Sequence, residues 1–440
     1  MDRAINSANI KNFSDYYKNN TVSKVATKAM SKTSIDDVCY NLDGAKKMNH
    51  KFSDEIKTMA ATNQKSSARC WIFTSLNILR EKIAKDLNLA NFELSQSFTS
   101  FYDHVEKANY FLENIIETAD KPLTDRYVSS FLYYPVSDGG WWEMFTGLCK
   151  KYGVVPKEAM PETYQSEHTS SMNSVINSQL RKDAIILRKM VAEKKDIAEI
   201  RKVKDDMLKD VYNIVAVCFG NPPETFDFEY VDKDGNYHAD RNLTPHSFYD
   251  KYIGANLDNI VSLINAPMED KPYNKTYSIA YTGSVIEGRP MKFLNLTIEE
   301  LKQAAIKQLK DGQPIWFTCD CGPYGNRDEG IWDTALYDYE SPFSLDFEMS
   351  KADMMAYHQS SPNHAMTLTG VNLVDGKPDK WKIENSWGTE KANSGYFIMS
   401  DDWFDKYVYI VCVDRKYLSD EQNKYFDQEA TIIDPWDPMA

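Results

Sequence analysis

The sequence predicts an α+β fold with two unlike halves, and three observations carry that prediction. Apolar residues recur at helical spacing through the first half, strand-like runs separated by turn clusters fill the last third, and no internal repeat links them. The chain has 440 residues, 42% hydrophobic and 26% charged, which is enough apolar material for a large core and too much for disorder. At about 150 residues per domain, this length suggests roughly three domains or one heavily embellished one. Lys and Arg number 51 against 65 Asp and Glu, a formal net charge of −14. That balance disfavours nucleic acid or an anionic membrane as partner, since both reward clustered positive charge.

Taken in order, residues 1–60 are mixed and polar, with a short amphipathic stretch near Ile10–Tyr17. The segment CWIFTSLNILREKIAKDLN places Ile72, Phe73, Leu76, Leu79, Ile83 and Leu87 on one helical stripe, and Ser67 just upstream is a start signal that puts Cys70 in the first turn. A second helix is expected over Ser95–Thr118, then a loop with Asp138-Gly139-Gly140 and an aromatic segment, Trp141–Lys151. From Ser170 to Val217 the pattern is one or two long charged helices, ended by Gly220, Asn221, Pro222 and Pro223. The run FEYVDKDGNYHAD reads as a hairpin turning at Asp234-Gly235, with acidic spacing unlike a calcium loop. A helix at Thr297–Asp311 precedes a strand in QPIWFTCDCG, and further strands are expected at Ala365–Val374, Trp381–Glu384, Tyr396–Met399 and Tyr407–Val413.

Seven cysteines form an odd, sparse set, which reads as reduced thiols and a cytoplasmic setting, not as a disulfide framework. The longest strictly apolar run, Ile214 to Phe219, is far short of the ~20 residues a bilayer demands, so no membrane partner is expected. Cys319 and Cys321 lack a matching second pair, so no metal and no cofactor is expected either.

Cys70 stands apart through its setting. A thiol at a helix N-terminus meets unpaired N–H groups and the positive end of the helix dipole, both of which favour the nucleophilic thiolate. Its own N–H and the Gln64 amide six residues upstream are candidate donors to an oxyanion. His364, in SPNHAMTLTGV at a strand start, is the candidate general base and acid. Asn385, 21 residues further on in WKIENSWG, would lie across a hairpin from it and fix the ring, with Trp387 covering their hydrogen bond. Each signal alone is weak, since a lone Cys on an amphipathic helix is usually a core residue. Their joint occurrence changes the odds.

Gln64, Cys70-Trp71, His364 and Asn385-Ser386-Trp387-Gly388 together resemble the papain-like cysteine peptidases. His364 lies 294 residues after Cys70, roughly twice the ~130–150 residue offset of papain and the cathepsins. That excess and the segments DGGWWEMF, KYGVVPKEAMPETY, GYFIMSDDWFDKYVY and PWDPM are similar to the bleomycin hydrolase and aminopeptidase C branch. The resemblance implies a helical half carrying the Cys (61–165), a β-barrel-like half carrying His and Asn (311–415), and a large helical insertion with a hairpin (166–310). An N-terminal segment (1–60) and a C-terminal arm (416–440) reaching toward the cleft complete the division. It further implies Cys70, His364 and Asn385 as catalytic residues, Gln64 and Cys70 as the oxyanion hole, and Gly139 and Gly140 as a backbone edge lining substrate. Trp387 and Ala440 join the substrate-binding set. Peptides are the implied substrates and a homohexameric ring the implied assembly.

The tail departs from the pattern. PWDPM is followed by Ala440 alone, about three residues short of the arm whose carboxylate anchors a substrate's amine in aminopeptidase members. At ~3.3 Å per residue the anchor would retreat about 10 Å, so relaxed or endopeptidase action is the expectation. Strict aminopeptidase action with a repositioned arm is the alternative. A ring-forming scaffold or nucleic-acid-binding role is a further reading, weakened by the acidic residues interleaved through Arg181–Lys209.

Overall fold

The computed structural model of the chain describes residues 3–254 and 257–440. Its centre is a mixed sheet of 12 strands among the described residues. The strand His364–Val374 runs antiparallel between Ile315–Cys319, with His364 opposite Cys319, and Lys377–Glu384, with Thr367 opposite Glu384. Beyond Ile315–Cys319 the sheet continues through Val408–Asp414, Ile260–Ile264, Phe293–Asn295 and Lys275–Ile279 to Thr431–Ile433.

Both faces of this sheet are covered, which explains why its strands read as unbroken apolar runs. Successive side chains point to opposite faces. Trp316, Ala365, Ile410 and Cys412 pack toward the Cys70–Asp86 helix, while Phe317, Met366, Val411 and Val413 pack toward the Ile298–Lys310 helix. A separate helical layer joins Gln96–Glu117 to the two long helices Ser170–Ala192 and Ile197–Phe219 through Phe101, Ile115, Leu180, Leu187 and Val211. The α+β class and the main helices therefore follow the expected periodicity closely.

Several expectations need correction. Ser67 does not cap the Cys70 helix. Arg69 stands at the cap position without a side-chain cap bond, and Ser67 Oγ instead donates to Gln64 O at 2.6 Å. The segment 166–310 is not only helices and a hairpin, because three of its short stretches, Ile260–Ile264, Lys275–Ile279 and Phe293–Asn295, are strands of the main sheet. The first 60 residues hold helices at Ser7–Asn19 and Thr21–Met30 and a short strand, Asp54–Glu55, paired with Gly370 and Val371. The tail adds Thr431–Ile433 in parallel to Tyr277–Ile279. The strand pairings among these join separate segments, which local periodicity does not encode.

The two halves are joined by a buried polar clamp. Arg80, on the Cys70 helix, donates to Glu384 Oε1 at 2.9 Å, and Asn77 Nδ2 donates to the same oxygen at 2.9 Å. Burial pushes Glu384 up to about 7, with Arg80 pulling the other way. Truncating one partner of such a pair strands a desolvated charge. Glu384→Ala is therefore expected to lower unfolding free energy by about 3–5 kcal/mol, measured by denaturant titration. Glu384→Gln, which keeps an acceptor oxygen, should lose clearly less.

Candidate active site

Cys70 is the first residue of its helix, so its N–H has no intrahelical acceptor. The Ala365 N–H donates to Cys70 Sγ at 3.4 Å, and Thr74 Oγ1, one turn along the helix, donates to Ala365 O at 3.2 Å. These two bonds hold the helix start against the start of the His364 strand. His364 Nε2 lies 2.9 Å from Asn385 Oδ1. Because that oxygen can only accept, Nε2 carries the proton and Nδ1 is the bare nitrogen of the neutral ring. Asn385 Oδ1 also accepts from the Ser386 N–H at 2.8 Å, which fixes the amide. The Trp387 ring stacks on His364 at 4.9 Å, and the Arg327 guanidinium lies over that same Trp387 ring, 4.6 Å from its centroid.

Gln64 is held at both ends. Its Oε1 accepts from Ser386 Oγ at 2.6 Å, its Nε2 donates to Ser67 O at 2.5 Å, and its N–H donates to Ser386 O at 2.9 Å. One amide hydrogen remains for a ligand. Arg69 is not aimed at the thiol: it is buried and paired with Glu162 at 2.9 Å.

Cys70, His364, Gln64, Gly139 and Gly140 line one cleft of about 810 Å³. A Cβ on Gly139 would meet open space, whereas one on Gly140 would fall 2.6 Å from the Trp71 ring. Glycine at 140 is thus required by the packing of Trp71, and only Gly139 leaves room for a ligand backbone. Ala440 does not line the cleft. Met439 is buried, Asp437 pairs with Lys271 at 2.9 Å, and Ala440 packs against the core; the tail residue that lines the cleft is Pro435.

The electrostatics differ from the expectation of a ready thiolate. Burial pushes the Cys70 thiol up, and the N–H groups of Ala365, Trp71 and Cys70 itself only partly oppose it. Burial likewise pulls His364 down to about 4, with the Asn385 bond raising it and the Arg327 charge lowering it further. The helix terminus is outweighed because the sulfur sits among apolar side chains.

Beneath the glycine segment lies a polar network that sequence reading missed. Lys107 Nζ donates to Gly139 O at 2.5 Å and Asp103 Oδ2 at 2.6 Å, and lies 5.1 Å from the Trp71 ring. Asp138 accepts from Thr169, Asn173 and His104. Burial alone would raise the Asp138 carboxyl, but His104 and its other donors hold it well below the usual carboxylate range. The signal available in sequence was charge on otherwise apolar faces, as with Asp103 and Lys107 on the Gln96–Glu117 helix, Arg80 on the Cys70 helix and Glu384 at the end of a strand.

Comparison with known proteins agrees with this geometry. The model of the Peptidase C1-like family matches residues 4–440. Aminopeptidase C of Lactobacillus delbrueckii subsp. lactis is 44% identical over 443 aligned residues, covering 100% of this chain and 99% of the relative. Aminopeptidase C of Listeria monocytogenes is 43% identical, with 98% and 97% covered. The crystal structure of PepW from Lactobacillus rhamnosis HN001 superposes with a TM-score of 0.98 at 46% identity, over 100% of this chain and 99% of that one. From one end of the described structure to the other, in sequence and in backbone, the chain belongs to the Peptidase C1-like family of papain-like cysteine peptidases.

Proposed function

We propose that this chain hydrolyses peptide bonds with Cys70 as nucleophile and His364 as general base and acid, without a cofactor. The observation that carries the reading is the Ala365 N–H on Cys70 Sγ at 3.4 Å, which sets the thiol beside the residue following His364 in one cleft. Burial penalises each charge alone, but moving the proton from Sγ to Nδ1 creates both charges together. For any two unit charges ~4 Å apart at an effective dielectric of about 20, the attraction is about 4 kcal/mol, so a pair formed in contact offsets much of the separate penalties. The sulfur then attacks the scissile carbonyl, and the oxyanion receives the Cys70 N–H and the remaining Gln64 amide hydrogen. Collapse expels the amine, which takes the imidazolium proton and leaves a thioester on Cys70. Water, deprotonated by His364, cleaves the thioester and restores the thiol. Asn385 and Trp387 keep the ring oriented throughout.

Relaxed positional selectivity, including endopeptidase action, is part of the reading. Among the described residues lining the cleft there is no Asp or Glu, while Lys65 and Lys107 are present. A substrate's free ammonium therefore finds no carboxylate to reward it. Strict aminopeptidase action is the second reading, favoured by Pro435 of the tail in the cleft wall and by the names of the relatives. The free state of all seven cysteines supports a reducing, cytoplasmic setting. Exposed Ile10, Phe13, Tyr16 and Val25 on the N-terminal helices support self-association into the implied homohexamer, which sedimentation would show as a species several chains in mass. No helix among the described residues is long and apolar enough to cross a membrane.

One panel of peptides tests the chemistry and its selectivity. Cys70→Ala should abolish turnover, and His364→Ala should lower kcat/KM about 10²–10⁴-fold. Matched peptides with free and acetylated amino termini should be cut at rates within about threefold. Cleavage confined to free-amine peptides would return the assignment to aminopeptidase.

The pH profile supplies a separate check. His364 is competent as a base only when neutral, so the acid limb of kcat/KM should lie well below the ordinary histidine value of about 6.5, in keeping with a site held down to about 4. Arg327 disfavours the imidazolium, so Arg327→Gln should move that limb toward higher pH. An unmoved or lowered limb would contradict the electrostatics.

A further inference from the structure

The cleft does not end at the glycine edge. It continues into a recess walled by Tyr110, Phe131, Tyr134 and Tyr281, with Asn114 on its side and Pro435 of the tail at its rim. Three distant segments converge there. Tyr281 has left-handed backbone at φ 51°, uncommon for a non-glycine residue, and its ring packs on Phe131 at 5.0 Å and Tyr127 at 5.2 Å. Tyr127 in turn meets Trp436 at 4.9 Å. A Cβ on Gly283 would fall 2.9 Å from the Tyr110 ring, so glycine there lets that ring lie flush in the wall.

Two features mark this recess as built for an occupant. Tyr134 keeps 69% of its surface exposed at the mouth, a large aromatic left without cover. Asn114 is only 8% exposed as a residue, and it lines the cleft, so a side-chain amide stands among the aromatic walls. An amide in such a setting can both donate to and accept from a ligand's polar edge, whereas the ring faces around it offer neither. Aromatic walls with one polar group fit a ring that is apolar in body and polar at its edge.

We infer that this recess is a specificity pocket that takes a large aromatic side chain of the peptide substrate, Tyr or Trp ahead of Phe, with Asn114 meeting the polar edge. The inference rests on the peptidase reading above and names its substrate class. Among the described residues no carboxylate lines the recess itself; Glu117 stands behind its wall, where it accepts from the Tyr281 hydroxyl at 3.4 Å.

The test is a panel of peptides varied one position at a time, within four residues of the scissile bond, through Ala, Leu, Phe, Tyr, Trp and Glu. At one position kcat/KM should favour Tyr and Trp over Ala by at least about tenfold, with Phe between. Tyr134→Ala, at an exposed site the fold does not need, should shrink the aromatic-to-Ala ratio. Asn114→Leu should erase the Tyr-over-Phe preference while leaving Phe ahead of Ala. Calorimetric titration of the same peptides into Cys70→Ala protein reads the pocket without turnover. Tighter binding of the Tyr peptide than the Ala peptide by about tenfold upholds the pocket even if wild-type hydrolysis is absent, an outcome that would fault the peptidase reading alone. Equal affinities, or ratios unmoved by both Tyr134→Ala and Asn114→Leu, overturn it.

Discussion

The seam between the Cys70 helix and the His364 strand is the constraint on which the site depends. Cys70, Thr74 and Asn77 recur at helical spacing, so they lie along one face, with Arg80 continuing it about a turn further. Each makes a polar contact across the seam: Sγ with the Ala365 N–H, Oγ1 with Ala365 O, and Asn77 and Arg80 with Glu384. Apolar packing alone tolerates sliding, because it has no direction. A stripe of directional bonds in a dry interface does not, and a one-residue slip would leave several buried groups unpaired. Glu384 immediately precedes Asn385, so the clamp that joins the halves also places the amide that orients the imidazole.

Burial has two opposite effects in this arrangement. It stabilises the seam, and it also pushes the thiol up and the imidazole down, so that neither charge is favoured on its own. The proton can still cross between them, since that transfer leaves the net charge of the pair unchanged. The neighbouring Arg327 adds to the bias against imidazolium without touching His364, acting across the Trp387 ring. A site of this kind gains its reactive form through pairing and substrate contact, and less from the helix terminus.

Much of the arrangement was legible in the sequence because it is local. The stripe from Ile72 to Ile83 defines the Cys70 helix, Gly220 ends the long charged helices, and Asp234-Gly235 turns the hairpin. His364 and Asn385 could be set side by side because they flank a single hairpin. Other features escaped for physical reasons. Ile260–Ile264 joins Phe293–Asn295 in parallel, and Thr431–Ile433 joins Lys275–Ile279, pairings that follow from tertiary packing and leave no periodic trace. Arg80 and Glu384 lie 304 residues apart, so their pairing has no local signature in the sequence. Ser67 has the chemistry of a cap but is engaged with Gln64 and Arg69. Ala440 follows a motif that suggests the cleft, while Met439 and Asp437 are drawn into packing and pairing elsewhere.

The cleft is assembled from two sets of segments with separate supports. Residues 64–71, 139–141 and 363–365 surround the sulfur and are braced by the seam and by the Lys107–Asp103 pair under Gly139. Residues 110–134, 281–283 and Pro435 form the distal recess and are braced by ring contacts among Tyr127, Phe131, Tyr281 and Trp436. Lys107 lies on the same helix as Tyr110 and Asn114, so the Gln96–Glu117 helix is the one element common to both. Substitutions on the loops and tail of the distal set reach the recess without passing through the clamp that aligns sulfur and imidazole. Selectivity can therefore change by altering aromatic contacts at the recess while the reacting atoms keep their positions, an independence that follows from where the buried polar bonds lie.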